Sequence, residues 1–219
     1  MSTLTREQTL YEMGLGPLWK LRNPPITADL PSSRHWDELT VDVAQCRLCN
    51  LCEHRKQAVL GVGDVNADWL FVGEGPGAEE DMQGEPFVGQ AGKLLDSMLA
   101  AIQLKRGSDV YIANAVKCRP AGNRTPTDEE MSSCRPYLLT QIALIKPRLI
   151  VALGGVAART LLQTAEVKVG ALRGKILESQ GIPLIVTYHP SYLLRSPMEK
   201  AKAWEDLCFM RRTMRELKQ

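Results

Sequence analysis

The chain has 219 residues, 44% apolar and 24% charged, which is the make-up of one good-sized globular domain with an extension. Its net charge of +2 excludes a global basic field, so any surface for nucleic acid must be a local patch around one cleft. No apolar run approaches the roughly 20 residues that span a bilayer, and Met1-Ser-Thr-Leu-Thr-Arg-Glu7 lacks the apolar core of a signal peptide. A cytoplasmic protein is expected, with no membrane association and no feature pointing beyond a monomer. Six cysteines in such a chain point to metal or catalysis before disulfides.

Residues 1–22 open the chain with a dense apolar set (Leu10, Met13, Leu15, Leu18, Trp19, Leu21), with Thr5 placed to cap a short helix and Gly14 to end it. Residues 23–34, with Pro24, Pro25 and Pro31, cannot hold a helix and read as a linker. A Trp-containing segment tethered ahead of such a linker is a candidate partner-binding peptide; the alternative is that it folds back on the main domain. The main domain is expected over 35–219. It begins with a short helix at about 35–45 that leads into Cys46-Arg-Leu-Cys49-Asn-Leu-Cys52.

The apolar run Trp69-Leu-Phe-Val72 reads as a buried strand, and Lys93–Ile102 as a helix. Between them lies a long loop, 73–92, in the position where open parallel sheets place their ligands. Its glycines (Gly73, Gly75, Gly77) let the backbone turn sharply and approach a bound group. Glu74 and the acidic run Glu79–Asp81 argue against a phosphate cradle, and Phe87 offers a flat face to a flat ligand. A second buried strand is expected at 109–116, followed by a polar loop, Lys117–Thr127. Thr127 with Glu130 forms a capping box that opens a helix running to about Ile145, with Pro136 placed to shorten or bend its start. A third strand (148–153), a helix (154–162), a fourth strand (183–188) and a last helix (about 198–217) complete the domain. That last helix presents Ala201, Trp204, Leu207, Cys208 and Met214 as its apolar stripe, which makes Cys208 a packing residue. Strands alternating with helices predict an α/β fold, a three-layer α/β/α sandwich around a central four-stranded parallel sheet.

Cys46 and Cys49 form a C-x-x-C pair that Cys52 extends, while Cys118 and Cys134 stand far off beside the ends of predicted elements. Four thiolates make either a zinc site or an iron–sulfur cluster, and the wide, irregular spacing leans toward the cluster. Asn114 ends an apolar strand, where its amide must find partners; its donor and acceptor match the edge of a pyrimidine. His189 follows a strand on the same side of the sheet. Three ligand-side loops thus each present one suitable group. Lys117, Arg119, Arg124 and Arg195 lie in those loops as candidates to meet phosphates.

These motifs together resemble the iron–sulfur (family 4) uracil-DNA glycosylases. The strings that carry the resemblance are Gly73-Glu-Gly-Pro-Gly with Glu79-Glu-Asp, Pro86-Phe-Val-Gly-Gln-Ala-Gly92, Asn114-Ala-Val-Lys-Cys-Arg-Pro120, Asn123-Arg-Thr-Pro126 and His189-Pro-Ser-Tyr-Leu-Leu194. The resemblance covers about four-fifths of the chain, from Cys46 to the last helix. It implies a 4Fe–4S cluster on Cys46, Cys49, Cys118 and Cys134, with Cys52 where the family needs no cysteine. It implies that Phe87 stacks on a flipped-out uracil, Asn114 reads its Watson–Crick edge, and backbone groups around Glu74 and Gly75 hold a uracil oxygen. His189 would stand near uracil O2. His189, Asn123 and Glu74 are the catalytic candidates. Gly75 stands where other branches carry a water-activating Asp, so the reaction would depend on stabilising the departing base. The stretch Ala121-Gly-Asn-Arg-Thr lacks the His with which a related branch traps DNA, and simple base release is expected from single- or double-stranded DNA.

The segment from Glu7 to Pro24 falls outside that resemblance. It resembles the N-terminal peptide of the psi subunit of bacterial DNA polymerase III, which implies clamp-loader docking through residues 5–22. A replisome accessory protein built on a glycosylase body is therefore the alternative expectation. A redox or iron-sensing regulator has no separate DNA-reading motif to support it.

Overall fold

In the computed structural model of the chain, residues 35–219 are described; the apolar segment at 1–22 and the linker at 23–34 lie outside them. The strands are β1 (Val62–Gly63), β2 (Trp69–Gly73), β3 (Val110–Asn114), β4 (Leu149–Leu153), β5 (Leu177–Ser179) and β6 (Ile182–Thr187). The helices are α1 (Trp36–Gln45), α2 (Leu51–His54), α3 (Ala78–Gln83), α4 (Gln90–Ala101), α5 (Asp128–Ile145), α6 (Gly155–Leu162), α7 (Val169–Leu172), α8 (Pro190–Arg195) and α9 (Lys200–Leu217).

The sheet runs β1-β3-β2-β4-β6-β5. Its four central strands are parallel, as the sequence predicts, but two short antiparallel strands extend its edges, so the sheet is six-stranded and mixed. The edge strands are only two and three residues long and only partly buried, so neither leaves an apolar run to read. β2, β3 and β4 are buried along their whole length, because helices cover both faces. Successive side chains divide between those faces. Trp69 and Phe71 pack with Leu95, Leu99, Leu207 and Met210 from α4 and α9. Leu70 and Val72 pack with Leu138, Ile142, Ala157 and Leu161 from α5 and α6.

Two expectations change. Pro136 sits inside an unbroken α5, whose first turn is held by the Thr127–Glu130 capping box. The buried stripe of α9 is Ala203, Asp206, Leu207, Met210, Thr213 and Met214, whereas Ala201, Trp204 and Cys208 face solvent. Polar side chains occupy the inner face because they are bonded there. Asp206 Oδ2 accepts from Thr187 Oγ1 at 2.6 Å and from Arg173 Nε at 2.8 Å. An apolarity count alone therefore finds Leu207 and Met214 but misplaces Ala201, Trp204 and Cys208.

Candidate active site

The C-terminal ends of β2, β3 and β6 open into one cleft of about 530 Å³. In the parallel register Gly73 lies beside Asn114. A Cβ at Gly73 would come within 2.5 Å of both Asn114 Oδ1 and the Phe87 ring, so only glycine lets those two side chains meet over the strand end. Phe87 itself has a left-handed backbone, φ +56°. Its carbonyl points at the start of α4 so closely that a Cβ on Gly92 would lie 1.7 Å from it. Arg106 clamps this turn: Nη1 donates to Pro86 O and Nη2 to Phe87 O, both at 2.8 Å, while Nε donates to Asp96 at 3.0 Å. The two ends of the loop are tied by Glu80, which accepts from Gly77 N–H at 3.0 Å and from Val88 and Gly89 N–H at 3.1 Å. The acidic run is therefore scaffolding for the loop, as well as a reason against a phosphate cradle.

Asn114 is 2% exposed, and its Oδ1 has no hydrogen-bond partner. A buried acceptor in that state is costly unless a ligand donor meets it. His189 caps α8, and its ring lies 5.5 Å from that of Phe87, tilted 30°. Ser191 N–H donates to His189 Nδ1 at 3.1 Å. A backbone amide can only donate, so Nδ1 carries the lone pair and the proton of the neutral ring is on Nε2. Burial lowers the His189 pKa to about 4, helped by the Arg195 guanidinium and opposed by Glu80. The ring is thus neutral at pH 7 and offers Nε2–H as a donor. Burial also holds the Glu74 carboxyl above the usual carboxylate range, with Arg195 pulling the other way.

Glu74, Gly75, Phe87, Asn114 and His189 all line this cleft, and Asn123, Arg124 and Arg195 stand along it too. Asn123 is exposed, with Oδ1 accepting from Arg119 Nε at 2.7 Å. Arg124 is paired with Glu130 through two bonds of 2.8 and 2.6 Å, so its charge is largely engaged in holding the start of α5. Lys117 is corrected outright. It is 1% exposed, and its ammonium is bonded inside the protein, out of reach of any DNA phosphate. The sequence pattern also misses Ser191, Glu80 and Arg106. The Gly77-x-x-Glu80 spacing is a legible capping signal. Arg106 leaves none, because it acts on carbonyls some twenty residues earlier in the chain.

Beside β3, a second site gathers sulfur. Cys46, Cys49, Cys52, Cys118 and Cys134 line one cavity with Arg55, Lys117 and Tyr137. Arg55 Nη1 donates to Cys118 Sγ at 2.8 Å, and Lys117 N–H donates to Cys134 Sγ at 3.2 Å. Burial raises the Cys118 and Cys49 thiols and pushes Cys134 up to about 12. The same burial lowers Lys117 to about 8, against the pull of Cys134 and Cys118. Among the described residues no three Cys, His, Asp or Glu side chains stand close enough to hold a single metal ion. An all-sulfur donor set, with the Arg55 guanidinium and the Lys117 backbone amide directed at it, suits a larger anionic group held at several corners.

The uracil DNA glycosylase superfamily matches residues 60–208. A Type-4 uracil-DNA glycosylase of Pyrobaculum aerophilum is 43% identical over 173 residues, covering 75% of this chain and 87% of its own length. That of Archaeoglobus fulgidus is 42% identical over 168 residues (74% and 84%), and that of Thermotoga maritima 46% over 155 (70% and 80%). The matched span holds the sheet, the glycine loop and the His189 turn together, and by that extent the chain belongs to the uracil DNA glycosylase superfamily.

Proposed function

We propose that this chain is a monofunctional uracil-DNA glycosylase that takes uracil out of the DNA stack and hydrolyses its N-glycosidic bond, leaving an abasic site for repair. The observation that carries the reading is the unpaired Asn114 Oδ1 at the floor of the cleft, beside the Phe87 ring and the neutral His189. Uracil offers a ring N–H next to a carbonyl, so the Asn114 carbonyl accepts from N3–H and its amide donates to O4. Phe87 stacks on the flipped ring. A cytosine presents a bare acceptor at N3 and would leave Asn114 Oδ1 unpaired, which is how one buried amide sets specificity.

The C1′–N1 bond breaks with its electron pair moving onto the base, water then bonds to C1′, and the proton that this water gives up neutralises the departing uracil anion. His189 Nε2–H, held toward the cleft because Ser191 occupies Nδ1, donates to O2, where negative charge grows. Gly75 brings no carboxylate to the water, and Glu74, Asn123 and Arg195 complete the polar wall. Arg195 and the Arg119–Asn123 pair meet the phosphates that flank the flipped nucleotide. Unstacking the base costs a few kcal/mol, and the preorganised donors offset it.

Cys46, Cys49, Cys118 and Cys134 would hold a 4Fe–4S cluster, and Cys52 lines the same cavity as a fifth thiol. The cluster supplies structure, joining the segment at 46–52 to the turn after Asn114. The clamp-loader reading falls on residues 5–22, outside both the described residues and the matched span, and no specific observation favours it.

The test is base release. Full-length protein, purified without air, is given a labelled oligonucleotide holding one uracil, single-stranded or opposite guanine, and alkali cuts the abasic sites. Cleavage at the uracil, much reduced in Asn114→Ala, supports the reading. Intact oligonucleotide from iron-loaded protein would overturn it.

A further inference from the structure

Lys117 is a fully buried cation that the chemistry of base release does not use. Its Nζ donates to the backbone carbonyl of Asn114 at 2.8 Å and to Gln141 Oε1 at 2.5 Å. Gln141 is itself 0% exposed, and its Nε2 donates to Leu60 O at 2.9 Å and Tyr111 Oη at 3.4 Å. Both acceptors on the ammonium are neutral, and among the described residues no carboxylate pairs with it. A buried ammonium with neutral partners alone is costly and calls for negative charge nearby. That charge lies on the other side of the residue. Lys117 N–H donates to Cys134 Sγ, and Cys118 is its neighbour in the chain.

We infer that Lys117 is a positioning residue that couples the cysteine site to the base-reading site. Four thiolates around iron and sulfide supply the countercharge for the ammonium, and the ammonium fixes the Asn114 carbonyl. With that carbonyl held, the strand end cannot rotate, and the Asn114 amide keeps its aim into the cleft. Outer groups of this kind change the affinity or activity of a metal site by about 10- to 100-fold when removed. The inference rests on the cluster reading above and gives the cluster a task in uracil recognition without any electron transfer. It also explains a lysine where a phosphate-binding role fails, inside the protein at the junction of both sites.

The experiment uses air-free, full-length wild-type protein, Lys117→Met and Gln141→Met. The Gln141 variant carries the test if the first does not fold, because Gln141 touches neither the cleft nor a cysteine. Iron per chain, the midpoint potential of the cluster and single-turnover uracil excision are measured. Lys117→Met is expected to keep iron but shift the potential negative, since removing a nearby positive charge disfavours the more negative reduced form. Its excision rate falls about 10- to 100-fold while affinity for the oligonucleotide stays close to wild type, because no DNA-facing group has changed. Gln141→Met moves both readings the same way by less. An unchanged potential overturns the coupling, and so does a shifted potential with wild-type excision. Wild-type protein that leaves air-free purification without iron and sulfide sinks the cluster reading itself, which is a separate failure.

Discussion

The cleft and the cysteine site lie a few residues apart on the same turn, and their polar groups are treated in opposite ways. In the cleft, Asn114 Oδ1 is buried without a partner, and His189 keeps one ring nitrogen for the cleft. At the cysteine site, Cys118 receives Arg55, Cys134 receives the Lys117 amide, and Tyr137 lines the cavity with Cys46. A site for a ligand that comes and goes leaves its strongest groups unpaired in the free protein. A site for a resident group arranges donors around it in advance. The contrast ranks what substitutions at each place should do.

The largest effect belongs to the unpaired atom. Asn114→Ala removes the amide that reads uracil but leaves the strand and its apolar neighbours in place. Single-turnover excision should fall by roughly 10²- to 10³-fold, the cost of losing one preorganised polar group at a reacting centre. Thermal stability should hold or rise slightly, because an unsatisfied buried acceptor goes with it. A variant that loses stability and activity together would mean that Asn114 is a structural residue, and the contrast between the two sites would collapse.

That division was only half legible in the sequence. The four parallel strands show as uninterrupted apolar runs because helices cover both faces, and the loops that follow them point to the ligand side. Phe87, Asn114 and His189 are readable from those positions, and the cleft brings all three together. Lys117 is misread because a lysine in a polar loop looks solvated, and only the third dimension shows the Asn114 carbonyl and Gln141 above it. Arg106 is invisible for a similar reason, since its targets are carbonyls, which carry no sequence identity. Asp206 and Thr213 hide the inner face of α9 because burial there is compensated by bonding.

Arg106 sharpens the comparison next. It is pre-paired like the groups of the cysteine site but serves the open cleft, holding the carbonyls of Pro86 and Phe87. Arg106→Ala frees a turn whose φ of +56° is strained for phenylalanine. The Phe87 wall should loosen, and excision should drop about tenfold through weaker capture of the flipped base, with each buried bond to a charged donor contributing about 1.5–3 kcal/mol. Arg106→Lys retains at most one of the two carbonyl bonds and should recover only part. Steady-state kinetics on a uracil-containing oligonucleotide check it, and equal activity in all three proteins would leave the clamp without a role.

Arg195 should matter less. It is exposed at the mouth of the cleft, where a phosphate contact adds affinity without reading sequence. Arg195→Ala should weaken DNA binding several-fold at low salt and reduce the salt dependence by about one counterion. Fluorescence anisotropy across a salt series measures both. A loss that is the same at every salt concentration would place Arg195 in the chemistry rather than on the phosphates.

The smallest expected effect is an absence of change, and it probes His189 directly. A solvated histidine would switch charge near 6.5 and bend the excision profile there. Here burial and Arg195 bring the ring to about 4, so the rate should run flat between about pH 6 and 8. Protonation would also put a hydrogen on Nδ1, where Ser191 N–H already points, so the charged ring loses its anchor as it forms. The stability of the domain follows the same two values. As pH falls from 6.5 toward 4, the unfolded chain takes a proton that the folded ring refuses, and His189 progressively withdraws its contribution to folding. A kinetic break near 6.5 in wild-type protein would mean that water reaches the ring, and the neutral Nε2–H donor would then have to be replaced by a charged imidazolium in the mechanism. A break near 6.5 that appears only in Arg195→Ala would assign the low value mainly to that charge, and a flat profile in both proteins would assign it to burial.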